Sequence, residues 1–504
     1  MSSKTPLPTP ERTAIGGSLE IPRMVSGLWQ LAGGHDDHVD FEVATEAMDS
    51  LISAGLGCFD MADHYGDAEL IIGEHHKRSK LNINAFTKWC PAENGINSFK
   101  NAEKAVDLAL SRMGQKEIDL MQYHAWDYTD DTYIHNLDHL QTLQKQGKIK
   151  HIGLTNTDAA HLELLIDSGF TIATNQVSCS VIDRRAVRGR LSSACTQHGV
   201  KILAYGTLLG GYLSEKWLGE PEPKDLEALN WSLRKYLRFI KAAGGWAAYQ
   251  GVLEALSVVA KEHNTPIAAV ATRYVLDLPA VGAVIVGSRL SKESDKYTAS
   301  NLAAFGFKLT DENLALIAKA QESLVDIPGD CGDEYRRVPY LTATGDLSHH
   351  LEKSEQDIKI EKTVSEGTRI EFSSGSKWEP IAGYCRAVRI GNTIRVSGTT
   401  ANSPIASTPA LGGKSARSQT VAVLDIIAHA IKRLGGSLSD VVRTRIMIQN
   451  PEDCEEVSRA HGWAFECVGV RPANTLIVAG LIGSEYLVEI EVEAEIGSGK
   501  VLRI

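Results

Sequence analysis

No long run of lysine and arginine occurs in the 504 residues, and the formal net charge is −11. A nucleic-acid or anionic-membrane partner is therefore not expected. About 18 uninterrupted apolar residues would be needed for a membrane-spanning helix, and no such stretch exists. The polar opening MSSKTPLPTPERT lacks the apolar core of a secretory signal. Eight cysteines (Cys58, Cys90, Cys179, Cys195, Cys331, Cys385, Cys454 and Cys467) form no C-x-x-C pair. That pattern supports neither a zinc or other metal site nor a disulfide framework, and points to reduced thiols in a cytoplasmic protein. The Gly-x-Gly-x-x-Gly turn that a doubly wound dinucleotide-binding sheet places after its first strand is missing too. The nearest cluster, Gly206 with Gly210 and Gly211, has the wrong spacing and comes late in the chain.

What remains has the composition of a folded protein: 43% hydrophobic, 23% charged, 44 glycines. The length exceeds one ordinary core and predicts two or three domains. Between residues 20 and 330, apolar β-like runs alternate with patterns of helical period. The runs cover 22–30, 57–62, 84–89, 118–124, 150–156, 171–178, 200–207 and 281–289. Val43, Ala47, Leu51 and Ala54 illustrate the helical spacing between them. Gly55, Gly147, Gly169 and Gly199 stand where helices should end, the position at which left-handed backbone costs glycine least. Eight strands alternating with helices predict a parallel (β/α)8 TIM barrel. Residues 214–250 exceed one connection and are expected to form a long loop, a lid or substrate wall.

The pattern dissolves in LEKSEQDIKIEKTVSEGT, which is roughly half charged and reads as a linker over 351–368. A smaller α+β domain is expected over 369–504, after the barrel domain of 1–350. Its order is strands turning at Gly391-Asn392, a helix over 420–434, a strand over 441–449, a helix over 454–466 and two final strands. That order predicts a sheet with helices on one face.

Chemistry in a barrel of this type sits at the C-terminal ends of the strands. There the sequence places Asp60 and Tyr65 after the second strand, Lys88 on the third and His124 on the fourth. A phenol with its ordinary pKa near 10 is a weak acid at neutral pH. An ammonium beside it stabilises the phenolate, a carboxylate holds the ammonium, and an imidazole can bond the same oxygen that the phenol protonates. The set suits addition of a hydride and a proton across a carbonyl. Singly, each residue is more often a solvated or packing group; four complementary groups on three consecutive strand ends carry the argument.

These residues also resemble the aldo-keto reductase family over about 20–350. The likeness runs through Gly27-Leu-Trp29, Asp60-x-Ala-x-x-Tyr65-Gly, Thr87-Lys88, His124, Gly153-Leu-Thr155-Asn156, Asn175-Gln176 and Val286-Gly287-Ser288-Arg289. The resemblance implies an extended nicotinamide cofactor bound without a Rossmann fold, an aldehyde, ketone or matching alcohol as small-molecule substrate, and Tyr65 as general acid/base. Lys88 and Asp60 would tune it, and His124 would orient the carbonyl. Gly27 and Trp29 would lie along the cofactor, and Thr155, Asn156 and Gln176 would hold its carboxamide. Tyr205 would stack on the nicotinamide, and Gly206, Thr207 and Leu208 would line the pyrophosphate. Asn301 would lie on the adenine side. Gly287, Ser288 and Arg289 fall where the family grips the adenosine 2′-phosphate, which favours NADPH. Trp29, Trp89 and Trp126 are expected to wall the substrate pocket.

Residues 370–504 resemble the RidA/YjgF family of enamine and imine deaminases, a chorismate-mutase-like fold. The likeness rests on Gly383-Tyr384, Gly391-Asn392, Val396-Ser397-Gly398, Gln419-Thr420, Asp440-Val-Val and Val488-Glu489-Ile-Glu491. It implies a homotrimer with clefts between subunits, lined by Tyr384, Asn474 and Glu489. The family's substrate-clamping arginine is replaced in Pro472-Ala473-Asn474-Thr475; asparagine offers no bidentate cationic fork. Two other readings stay open: a cofactor-binding, redox-sensing module assembled by the small domain, and an imine deaminase with an accessory barrel.

Overall fold

The computed structural model of the chain describes residues 7–32, 40–91, 95–291, 294–337, 340 and 368–502. Two short strands, β1 (Arg12–Ile15) and β2 (Leu19–Pro22), form an antiparallel hairpin ahead of the barrel. The hairpin lies ahead of the eight expected strands, and Gly16-Gly17 forms its turn. Ile15, Leu19 and Ile21 pack with Val25, Phe86, Leu120 and Leu203 from inside the barrel, so the hairpin plugs its floor.

The eight expected strands all form. They are β3 (Met24–Gly27), β4 (Cys58–Asp60), β5 (Asn84–Trp89), β6 (Ile118–His124), β7 (Ile149–Thr155), β8 (Thr174–Ser178), β9 (Lys201–Tyr205) and β10 (Val281–Gly287). Each pairs in parallel with its sequence neighbour, and β10 pairs with both β3 and β9, closing the barrel. Gly199 ends the helix Leu191–His198 at φ 70°, the left-handed turn read for it in the sequence.

Residues 214–250 are not the loop that the sequence reading expects. They contain the helix Trp231–Ala242 and the start of Gly245–Glu262. Asn230 caps the first by accepting from the Leu233 amide at 3.0 Å. Tyr236, Leu237, Phe239 and Ile240 are buried along it. The amphipathic spacing is legible in the sequence; the tryptophans and charges around it obscured it.

The second domain is a six-stranded sheet in the order β11-β12-β13-β16-β14-β15. Its strands are β11 (Ile370–Phe372), β12 (Ala387–Ile390), β13 (Thr393–Thr400), β14 (Val441–Ile448), β15 (Ala473–Val478) and β16 (Val488–Glu495). Residues along β16 alternate between buried and half-exposed, so one face is covered and the other open. The helices Ala416–Arg433 and Cys454–Cys467 supply the cover. The first also packs on the barrel helix Ala159–Asp167. Thr408 donates to the Ser168 carbonyl (2.7 Å), Ser418 to Asp167 (2.6 Å) and Lys432 to Asp127 (2.6 Å) across that contact. The charged stretch 351–367 lies outside the described residues.

Candidate active site

Residues on a strand alternate between the two faces of the sheet. On β5 this sends Phe86 and Lys88 into the barrel and Thr87 and Trp89 toward the helices. Thr87 accordingly donates to Glu69 on the helix Ala68–Arg78 at 2.7 Å. Trp89 packs edge-on against Tyr123, ring centroids 5.6 Å apart. The expectation of Trp89 as a pocket wall is thus corrected: the side chain is core packing behind the barrel, 5% exposed.

Lys88, buried at the top of the barrel, donates to Asp60 Oδ2 at 2.6 Å and to the Met61 carbonyl at 2.8 Å. The other Asp60 oxygen accepts from Gln122 and from Gln176, both at 2.8 Å. Gln176 also donates to Gln122 Oε1 at 2.7 Å. Every oxygen of this buried carboxylate is therefore satisfied, as a charge in a low-dielectric site requires. The ammonium stands 5.1 Å from the centre of the Tyr65 ring. Across the mouth, the His124 ring lies 3.9 Å from that of Trp126. Asn156 Nδ2 is 3.1 Å from His124 Nε2, and Tyr205 donates to Asn156 Oδ1 at 2.8 Å.

Asp60, Tyr65, Lys88 and His124 open into one cavity of about 490 Å³. The residues expected along a cofactor line the same cavity: Gly27, Trp29, Thr155, Asn156, Gln176, Tyr205, Gly206, Thr207, Leu208, Gly287, Ser288, Arg289 and Asn301. Trp126 lines it as well, its indole donating to the Pro91 carbonyl at 3.0 Å. Thr155 Oγ1 is buried without a hydrogen-bond partner, a donor and acceptor beside the paired amides of Asn156 and Gln176. Such a set matches a carboxamide, which both donates and accepts. The Gly206 backbone is left-handed (φ 70°), and a Cβ there would lie 2.8 Å from the Tyr236 hydroxyl. The nicotinamide cofactor implied by the sequence therefore fits these residues.

A further wall of the cavity comes from outside the strand ends. Tyr335, from the short helix Asp333–Arg336 beyond the barrel, lines the cavity, with its hydroxyl 3.3 Å from that of Tyr205. Lys235 and Tyr236 join it from the helix Trp231–Ala242, and Lys235 donates to Tyr335 Oη at 2.8 Å. None lies at a strand end, so only the folded chain reveals them.

In the small domain, Tyr384 and Glu489 flank Arg386, whose guanidinium is 6.0 Å from the Tyr384 ring and donates to the Gly398 carbonyl at 2.8 Å. Burial, reinforced by the neighbouring Glu491, raises the Glu489 pKa, with Arg386 opposing. Asn474 does not join them. It pairs with Thr444, whose hydroxyl donates to it at 3.2 Å, whereas Glu489 pairs with Met447 three residues along β14. An odd separation puts the two side chains on opposite faces. The three expected cleft residues are thus not one cluster within a single chain.

Residues 23–322 match the profile of the Aldo/keto reductase family, and residues 375–496 match the profile described as Endoribonuclease L-PSP. Among curated proteins, Aldo-keto reductase str7 of Strobilurus tenacellus is 29% identical over 321 residues, covering 62% of this chain and 90% of that protein. An uncharacterized protein of Streptomyces coelicolor is 37% identical over 136 residues, covering 27% of this chain and 97% of that protein. Among solved structures, a glycerol dehydrogenase from Gluconobacter oxydans is similar in fold. Its TM-score is 0.51 at 21% identity, covering 63% of this chain and 97% of that one.

Proposed function

This chain belongs to the aldo/keto reductase family, and from that premise we propose that it reduces an aldehyde or ketone at the expense of NADPH. One observation carries the reading: a buried Lys88–Asp60 pair set beneath Tyr65, with His124 across the same cavity. When bound, the cofactor supplies a hydride to the carbonyl carbon. Tyr65 donates the proton to the carbonyl oxygen. Lys88 favours the phenolate that remains, and Asp60 keeps Lys88 charged and fixed. His124 orients the carbonyl by bonding its oxygen, so that negative charge develops where donors already stand. Thr155, Asn156 and Gln176 would hold the carboxamide end and Tyr205 would face the ring. Ser288 and Arg289 would take the 2′-phosphate, chemistry that a hydroxyl and a guanidinium suit. The same groups serve oxidation of the matching alcohol.

A cytoplasmic location is part of the proposal, supported by eight free thiols, five of them buried. So is self-association through the small domain, as a homotrimer. Exposed apolar side chains at Val442 on β14 and at Ile477 and Val478 on the edge strand β15 support it. Loss of NADPH absorbance over a panel of aldehydes, ketones and imines tests the reductase reading. Turnover abolished by Tyr65→Phe, with NADPH affinity kept, is the expected result. Tight NADPH binding with no turnover of any carbonyl would overturn it, in favour of the cofactor-sensing module.

A further inference from the structure

Beyond its last long helix, Asp311–Gln321, the barrel continues into a segment whose Tyr335 lines the cavity. Arg185 anchors this segment: it donates to Asp183 through Nε (2.9 Å) and Nη2 (2.7 Å), and to Glu334 through Nη1 (2.6 Å). Gly332, with φ 90°, sits against the Asn156 carbonyl so closely that a Cβ would collide with it. Four residues later the guanidinium of Arg336 donates to that same carbonyl and, at 2.9 Å, to the carbonyl of Ala125.

Those two carbonyls belong to the chain at the exits of β6 and β7. Ala125 follows His124, and Asn156 is the residue whose side chain pairs with His124 and Tyr205. Asn156 is also left-handed (φ 55°), a conformation that a non-glycine residue keeps only when its surroundings hold it. One planar cation thus fixes the spacing of the two strand exits that carry His124 and Asn156.

On its other side Arg336 meets a barrel residue that leads on to the small domain. Its guanidinium carbon lies 4.3 Å from the Tyr128 ring centre. Tyr128 stacks on His161, centroids 3.6 Å apart and planes 12° from parallel. His161 Nδ1 bonds Asp158 at 2.8 Å, and its Nε2 bonds Asp425 of the helix Ala416–Arg433 at 3.0 Å. The next residue, Arg337, pairs with Asp333 at 3.1 Å and covers the Trp463 ring at 5.0 Å. The contacts form an unbroken line from the small domain to the cavity.

We propose that Arg336 is a positioning residue for the reductase site, and that the docked small domain holds it in place through Asp425, His161 and Tyr128. The small domain is then a working part of the barrel's active site. The inference rests on the reductase reading, yet it concerns cofactor binding and so is measurable apart from turnover.

The full-length chain is tested as Arg336→Met, Arg336→Lys, Asp425→Asn and the Arg336→Met/Asp425→Asn pair. The NADPH Kd is read by fluorescence, and kcat and KM with the best carbonyl of the panel. A lost hydrogen bond from a charged group corresponds to about tenfold to a hundredfold. Arg336→Met is expected to weaken NADPH binding and lower kcat/KM by that range. Lysine, which reaches one carbonyl at most, restores part of the loss. Asp425→Asn shifts the same two quantities in the same direction by less, and adds nothing to Arg336→Met in the pair. Unchanged NADPH Kd in Arg336→Met overturns the positioning role. Additive effects, or an Asp425→Asn chain indistinguishable from wild type in both quantities, overturn the role of the small domain. If no carbonyl is turned over, the reductase reading fails, while the NADPH Kd series still decides this proposal. Should Arg336→Met fail to fold, the lysine variant and Asp425→Asn decide it by the same quantities.

Discussion

Replacing Asp60 by asparagine removes the only carboxylate within hydrogen-bond reach of Lys88 among the described residues. The side chain that remains is nearly isosteric, so packing is preserved and the change is electrostatic. Both partners are almost fully buried, with 3% and 4% of their side-chain surface exposed. Removing one partner of a buried pair leaves an uncompensated charge and costs about 3–5 kcal/mol. At roughly 2 °C per kcal/mol for a barrel of this size, the unfolding midpoint should fall by about 6–10 °C. Activity should fall separately, because a general acid without its tuning partner forfeits about a hundredfold or more. The double variant Asp60→Asn/Lys88→Met separates the two effects. With no charge left to strand, its midpoint should recover most of the lost ground, since buried pairs are replaceable by apolar groups at little cost to stability. Its kcat should stay as low as in the single variant. Thermal scans and NADPH turnover at saturating substrate measure both quantities. A double variant no more stable than Asp60→Asn would refute the account of the stability loss. One that turned over like wild type would refute the assignment of the pair to Tyr65.

Three other outcomes are expected. Arg289→Ala should lower the preference for NADPH over NADH by about tenfold to a hundredfold, as lost charged hydrogen bonds to a phosphate would, read from kcat/KM with each cofactor. Trp89→Phe should leave the KM for any carbonyl unchanged within about twofold while costing about 1 kcal/mol of stability, since the ring packs behind the barrel; a large rise in KM would restore it to the pocket wall. Docking of the small domain should weaken in alkali. Burial opposes charge on His161, but the carboxylates of Asp158 and Asp425 prevail and raise its pKa from 6.5 to about 9. Charged groups around its partner Asp158 are Asp330, Asp333, Arg336 and Arg337, and Arg337 acts on Asp425 as well. Because the folded value lies above the unfolded one, the stabilisation is complete below about pH 6.5 and is lost as pH rises through 9. Protection of the amides in the helix Ala416–Arg433, measured relative to their intrinsic base-catalysed exchange, should fall over that range, and His161→Gln should abolish the fall.

The barrel was legible because each strand writes its own signal. Eight apolar runs, each closed by a glycine or a polar rim residue, specify eight parallel strands without reference to distant contacts. The tetrad was legible for a related reason: chemistry at strand ends is a rule of position, and Asp60, Lys88 and His124 each stand at one. Trp89 shows where that rule stops. It is one residue past Lys88, and alternation alone turns it away from the cavity, a deduction open to the sequence once the strand's phase is fixed by its lysine. The helix Trp231–Ala242 was equally available from its Asn230 cap and its spacing of apolar residues. Tyr335 and Arg336 were not. Their segment has no periodicity, and its role depends on where it crosses the barrel.

His161 and Asp158 look, from sequence, like an ordinary helix start, and Asp158 does cap the helix by accepting from the His161 amide at 3.0 Å. The cap itself has no need of a buried histidine ring, since the Asp158 carboxylate satisfies the His161 amide whatever side chain follows. The burial becomes intelligible only with Asp425, 264 residues further along the chain. With carboxylates at both ring nitrogens, His161 is held as a cation with two donors, and the pairing has meaning only while the two domains are docked. Surface ion pairs contribute about 0–1 kcal/mol and would dock a domain loosely. A fully buried imidazolium between two carboxylates is a different object: loss of His161 leaves two buried carboxylates without their cation, while loss of Asp425 leaves the ring paired with Asp158 alone. That graded hold, firmer than a surface pair, is what a domain needs if it is to keep Arg336, and through it the spacing of His124 and Asn156, in one arrangement.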